Sequence, residues 1–445
     1  MFKKWAIGMA ALCAATGALA ETHYIPSGED NLIHNFVNGS ETVAGKFFNA
    51  GDTLVLTDDG PYFNEDLTFP TDVTIRAAKG VLPDFTGESH IRFQANAHLE
   101  GLFFNEQFVL GGDRNYVVTN CRFNTSSVSF SHMSSIGSIA FIGNQIHADY
   151  VFFKSDNIFV MGNHFNLNST TARNIELISH SNRTIQFIGN EITSTTTSSS
   201  HGNDYLVEFD VGKANVIGNR FIQRSIGDNL YLDNFLYFDF GTSGSLIQNN
   251  SFQIEEGNGI DSINWRFITF GETDAHYQIF NNVFQSIPSA IQNDPLNAIA
   301  YNFSTKVQFA NNIIVNYPGN VIAQHGLSSI QNNLCFNGSS ALCDSLIAID
   351  NSNMQADPQF ASTDTFALSA GSPAIDAGID SVRHQDSKDN SRNDLGVFGG
   401  AFPIDFFDQQ LDPNATQPYL YPLIHVQDTA TENTLRVKAV AFARQ

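Results

Sequence analysis

From about residue 100 onward the chain alternates short apolar runs with polar turns, and one phrase keeps returning: a β-type run, then Gly-Asn or Asn-Asn, then an apolar residue two places on. It reads FIGNQI, VMGNHF, FIGNEI, VIGNRF, IQNNSF, IFNNVF, FANNII and IQNNLC. The second polar position falls at Asn144, Asn163, Asn190, Asn219, Asn250, Asn282, Asn312 and Asn333. Upstream, VVTNCRF puts Cys121 and LEGLFF puts Leu102 in the same slot, so ten coils can be counted. Their spacings are 19, 23, 19, 27, 29, 31, 32, 30 and 21 residues. A helical solenoid keeps its period nearly fixed, whereas stacked β coils absorb loop insertions without losing register. A β-sandwich would place strands at short, even intervals without returning to this phrase in register.

Each phrase is preceded by a second alternating run, including DYVFFK, NIELIS, YLVEFD, NFLYFD, RFITFG and NAIAYN. Alternation sends Val207, Phe209, Phe238, Phe240, Ile268 and Phe270 to one face and their neighbours to the other. The 39 phenylalanines then become interior stacks repeated from coil to coil. Asparagine suits the recurring slot because it tolerates left-handed backbone and because amides one coil apart can hydrogen-bond in a ladder. The expectation is an all-β, single-stranded right-handed parallel β-helix with terminal caps. AGDTLVLTDDGPYF begins an entry segment of two or three strands, and DPQFASTDTFALSAGSPAIDAG with DNSRNDLGVFGG suits a cap.

The first 20 residues stand apart from this pattern. Lys3 and Lys4 precede an apolar run that ends in Ala18-Leu19-Ala20, the form of a signal peptide cleaved before Glu21. The run is shorter than the roughly 20 apolar residues that span a bilayer. Its removal leaves 20 basic residues against 45 acidic ones, a formal charge of −25. Such a field repels nucleic acid, and no other run is long and apolar enough to cross a membrane. Export also suits Cys335 and Cys343 as a loop-closing disulfide, leaving Cys121 as a buried apolar residue. The expected organisation is 1–20 signal peptide, 21–400 β-helix, and 401–445 linker and short β segment, in a protein that is secreted, periplasmic or held at the cell surface.

AGDTLVL, the asparagine coils, DPQF, FALSAGSPAIDAG and DLGVFGG together resemble the bacterial pectin-lyase-like parallel β-helix proteins, in the subset whose helix ends in a DPxF and SPAIDAG region. The resemblance covers roughly Ala50 to Gly400. It implies the fold, but the family contains polysaccharide lyases, hydrolases, epimerases and proteins without known catalysis, so it does not choose a chemistry.

Counting back from the asparagine slot places Lys154, His180, Asp210, Asp239, Gly271 with Glu272, and Asn302 in one outward column. Glu176, Glu208, Tyr237 and Thr269 are their outward neighbours. A polar and aromatic stripe is what an extended sugar chain needs, and the expected partner is an acidic polysaccharide. Lys154, His180, Asp210 and Asp239 are the catalytic candidates; Glu176, Glu208, Tyr237 and Asn302 are the substrate-binding ones. Removal of the C5 proton of a uronate requires a base and a group that neutralises the acid. Some alginate- and chondroitin-type β-helix lyases use a Lys base with an Arg one coil later, so the resemblance to β-helix proteins implies Lys154 as that base, but the coil after Lys154 offers His180 and Arg183 instead of the matching Arg. Paired carboxylates at Asp210 and Asp239 would suit hydrolysis. Asp210, Asp239 and Glu272 are also candidates for holding Ca²⁺, a hard cation that takes clustered oxygens. The competing reading is a non-catalytic surface or adhesion rod whose outward residues are polar for solubility.

Overall fold

The structure is a computed structural model. It describes residues 20–442 except 29–31, 40–41, 64–66, 87–90, 106–107, 112–113, 132–136, 169–172, 180–182, 196–204, 211–212, 225–233, 240–243, 256–265, 272–275, 287–297, 303–305, 318, 324–326, 382–383, 412–418 and 425–436. The chain winds as a right-handed parallel β-helix with three sheet faces. Sheet 1 has 13 strands, from Thr22–Ile25 to Leu327–Gln331; sheet 2 has 13, from Tyr62–Phe63 to Met354–Gln355; sheet 3 has nine, from Phe108–Gly111 to Asn320–Ala323. Every pairing within these sheets is parallel, and each strand pairs with its counterpart one coil away. In a typical coil the chain runs along sheet 3 (Tyr150–Lys154), sheet 1 (Asn157–Met161), the asparagine bend, and sheet 2 (His164–Leu167).

The bend is built from two residues with separate jobs. The first, Gly143, Gly162, Gly189, Gly218, Asn249, Asn281, Asn311 or Asn332, has φ between 52° and 66°. Glycine and asparagine tolerate this left-handed geometry best. The second is the ladder asparagine, which does not adopt left-handed backbone; the two roles expected of one residue are thus divided between neighbours. The amide of Asn219 shows the ladder's arrangement. Its Nδ2 donates to Phe187 O and to Asn250 Oδ1, both at 2.9 Å, and its Oδ1 accepts from the backbone N and Nδ2 of Asn190, both at 2.9 Å. The same links join Asn144, Asn163, Asn190, Asn219, Asn250, Asn282, Asn312 and Asn333, and continue to Asn353. Buried polar groups cost free energy unless they are paired, and here both ends of each amide are satisfied.

Inside, Phe221, Phe252 and Phe284 stack with centroids 4.8 and 5.0 Å apart and planes within 5°. Phe85, Phe104 and Phe123 form another stack at 5.2 Å intervals. Phe209, Phe238, Ile268 and Phe270 are interior as expected, Cys121 is buried, and Phe240 lies outside the described residues. Burial pushes the Cys121 thiol up to about 12, which keeps it an inert apolar filler.

The stack begins earlier than the asparagine phrase suggests. The AGDTLVL segment forms the strand Thr53–Leu56 between Thr22–Ile25 and Val73–Ala77, so the entry segment is part of the helix proper. Helix α1 (Leu32–Val37) buries Ile33, Phe36 and Val37 near this end. At the other end α2 (Ser340–Ile349), N-capped by Ser339, buries Leu342, Cys343 and Leu346 over the last coils. A disulfide ties Cys343 to Cys335 in sheet 2.

The SPAIDAG and DLGVFGG segments, expected to cover an end, instead run back along the flank as a strap. Ala377 O accepts from Asn332, Ile379 N donates to Asn311, Asn393 Oδ1 accepts from Asn281, and Val397 O and Gly399 O accept from Asn249. Leu395, Val397 and Ile404 cover Val283, Ile313 and Leu334, and Phe407 in α3 (Asp405–Leu411) covers Ile188 and Ile217. Arg220 clamps Asp408 through two nitrogens at 2.7–3.0 Å. Packing against the coils thus continues past residue 400, with Phe407 fully buried. Within the segment expected to be a linker and short β segment, the strands Tyr419–Ile424 and Val437–Phe442 pair antiparallel.

Candidate functional site

The outward face of sheet 3 carries the candidate residues, and its register decides which of them meet. The sheet 3 strands Ser127–Ser131 and Tyr150–Lys154 alternate strictly, but three later ones start with a residue outside the core cluster followed by two adjacent interior ones: Tyr205 before Leu206 and Val207, Asn234 before Phe235 and Leu236, Arg266 before Phe267 and Ile268. Strict alternation therefore breaks at the start of the strand. Tyr205, Asn234 and Arg266 share one register column. Downstream, alternation resumes and produces two more columns.

One of these is Phe152, Glu176, Glu208, Tyr237 and Thr269, each directly above the last. The expected grouping of Glu176, Glu208 and Tyr237 is thus present as a vertical row. The other contains Ser131, Lys154, Ile178 and Asp210. Asp239 follows Phe238, which pairs with Phe209, and Gly271 follows Phe270, so these two continue the column.

Two expected members leave it. The residue in register with Lys154 and Asp210 is Ile178, because the strand Arg173–Ile178 ends farther from its asparagine than its neighbours do. His180 lies beyond that strand, outside the described residues. Counting back from the slot assumed a connector of constant length between sheets 3 and 1, and in this coil it is longer. Asn302 pairs with Phe270, so it stands in register with Phe238 and Phe270 and not with Asp210 and Asp239. Glu272 lies outside the described residues.

Tyr237 is the centre of the described contacts. Its ring lies on that of Tyr205, with centroids 4.2 Å apart and planes within 10°. Its hydroxyl is 3.2 Å from Asp239 Oδ1. Burial, then the charges of Asp239 and Glu208, push the phenol up to about 12, so it remains a donor at physiological pH. Gly271 leaves the room for this arrangement: a Cβ there would lie 3.0 Å from the Tyr237 hydroxyl and 2.9 Å from Asp239 O. Two coils below Tyr237, Glu176 accepts from Tyr150 of the coil beneath it at 2.6 Å. Above, the Thr269 hydroxyl donates to Asn234 Oδ1. Glu176 and Glu208 are buried at 9% and 6% exposure, whereas Lys154, Asp210, Tyr237 and Asp239 are partly exposed.

Sequence reading missed Tyr205, Tyr150 and the notch at Gly271. Tyr205 was masked by the assumption of unbroken alternation, which would turn it inward. The signal was present in the doubled apolar pairs LV, FL and FI. Among the described residues no three His, Cys, Asp or Glu side chains gather at metal-binding spacing. Within the set proposed for Ca²⁺, only Asp210 and Asp239 are placed, in adjacent coils of one column.

No protein-family model matches this chain, and no curated protein matches it significantly in sequence. No helix among the described residues is long and apolar enough to cross a membrane.

Proposed function

We propose that this is an exported β-helix protein that binds a polysaccharide along the outer face of sheet 3. The observation that carries the reading is the Tyr205–Tyr237 stack with Asp239 on the phenol and Glu208 and Asp210 beside it. The partly exposed Tyr237, backed by the buried Tyr205, offers an aromatic surface to the C–H side of a pyranose, and adjacent carboxylates accept from its hydroxyls. Repetition at one strand spacing, about 4.8 Å, suits a long chain better than a small compact ligand.

The charges refine the expected substrate. Glu176, Glu208, Asp210 and Asp239 outnumber Lys154, Arg173 and Arg266 along sheet 3, so a polyuronate meets net like charge unless a divalent cation bridges it. A hydroxyl-rich neutral glycan fits without help. Cleavage by proton abstraction is less favoured than binding, because Ile178, an apolar group, occupies the position one coil above Lys154. The same substitution favours a non-catalytic cell-surface role, with the laddered rod presenting the stripe.

The test is affinity electrophoresis of the mature protein through gels containing neutral or uronate polysaccharides, with and without Ca²⁺. Retardation by a neutral glycan that Tyr237→Ala abolishes supports the reading; retardation only by uronates in the absence of Ca²⁺ overturns the charge argument. Absorbance near 235 nm or release of reducing ends reports lyase or hydrolase action, and either would replace binding with catalysis.

A further inference from the structure

The first strand of the helix carries a contact whose character depends on the chain's N-terminus. Asp52 has no exposed surface and receives three donors. The Glu21 backbone N donates to its Oδ1 at 2.8 Å, while Asn49 N and His23 Nε2 lie 2.8 Å from its Oδ2. Glu21 is also held by its carbonyl, which accepts from Thr53 N at 2.8 Å, and by its side chain, which pairs with Lys46 at 2.7 Å. Thr22–Ile25, the strand that follows, is the outermost of sheet 1. Glu21 is the residue at which the Ala18-Leu19-Ala20 sequence predicts the mature chain to begin.

We propose that hydrolysis of the Ala20–Glu21 bond gives Glu21 an α-ammonium that ion-pairs with buried Asp52, so that leader removal locks the first coil of the helix onto the second. Water supplies hydroxyl to the Ala20 carbonyl carbon and a proton to the Glu21 nitrogen, which takes a second proton from solvent near neutral pH. Ala20 is exposed, so the bond lies where an export peptidase can reach it. Before cleavage Asp52 faces a neutral amide at this position; afterwards the same nitrogen carries charge. A charge-assisted hydrogen bond is roughly twice as strong as a neutral one. The other titratable groups around the pair are His23, which contributes charge only when protonated, and the Lys46–Glu21 side-chain pair, which is more exposed. Phe36 of α1 packs edge-on against His23 at 4.8 Å and adds no charge. The contribution is fully present below the ordinary α-amino range, about 7.7–8.0, and disappears as pH rises through the raised value of the folded state.

This inference is independent of what the sheet 3 face binds. The exported protein should begin at Glu21 by intact mass. Amide exchange of Thr53 and strand Thr22–Ile25 is then compared between that protein and one with Gly-Ser preceding Glu21. Exchange should be roughly five- to tenfold slower with the free Glu21 amine, from the difference between charged and neutral hydrogen bonds. Asp52→Asn should erase the difference; if that variant does not fold, selective Nα-acetylation of the mature chain provides the neutral control and should reproduce the faster exchange. A mature chain starting elsewhere, or equal exchange in extended and unextended forms, overturns the proposal.

Discussion

Replacing Asn219 by Ala should be among the most damaging single substitutions in the chain. It removes the bonds from Asn190 N and Nδ2 and those to Phe187 O and Asn250 Oδ1. Asn190 Nδ2 retains Val160 O and Asn250 Oδ1 retains Asn219 N, but Asn190 N loses the acceptor it has in the native ladder. Taking about 1 kcal/mol for each of three weakened groups and about 2 kcal/mol for a stripped buried donor gives a loss of about 5 kcal/mol. Gln145→Ala, at an exposed position of sheet 2 three coils away, should change stability by less than about 0.5 kcal/mol. Urea denaturation of both variants against the parent measures the difference, and hydrogen exchange at Thr184–Ile188 and Lys213–Ile217 localises it. A loss at Asn219 no larger than that at Gln145 would refute the claim that the ladder holds the corner together. Because Asn219 donates directly to Asn250, the double alanine variant should be less destabilised than the sum of the singles.

Gly218 has φ +66°, and a Cβ there would lie 2.1 Å from the Phe407 ring. Gly218→Ala should therefore expose the strap, 356–411, to limited proteolysis, and its cost should shrink in a Phe407→Ala background to the roughly 1–2 kcal/mol of left-handed backbone. Reduction of Cys335–Cys343, or Cys343→Ser, opens a short loop and should cost about 2–3 kcal/mol, read as faster exchange in α2 and at Met354–Gln355. Asp386, which accepts from Gly400 N and Asp394 N, is raised by burial to about 6. Its folded value exceeds its unfolded one, so the strap should take up a proton and gain stability as pH falls from about 7 toward 4; carboxyl NMR titration checks the midpoint.

The fold was legible because its strongest constraint repeats. Each coil needs one left-handed residue and one amide that bonds both up and down, and only Gly-Asn or Asn-Asn meets both needs cheaply. The coils formed by Thr53–Leu56 and Val73–Ala77 were read as entry because they lack that phrase. The strap was misplaced at the end because its partners are the bend residues themselves. Where Gly changes to Asn, at Asn249, Asn281, Asn311 and Asn332, the new amides bond the strap, and this switch was the unread signal. The row Glu176, Glu208 and Tyr237 was legible because alternation holds there. His180 and Asn302 were misassigned because loop lengths between sheets are not encoded by the bend, and Tyr205 because two adjacent interior residues shift the phase of the strand.

The central claim is that residues separated by uneven lengths of chain stand one above another. Asn124, His147, Asn166, Thr193, Ile222, Gln253 and Gln285 share one column of sheet 2. Spin labels at Asn124 paired in turn with Ile222, Gln253 and Gln285 should give distances near 19, 24 and 29 Å, a constant increment of about 4.8 Å per coil. Distances that do not grow by one common step along this series would contradict the stacked helix.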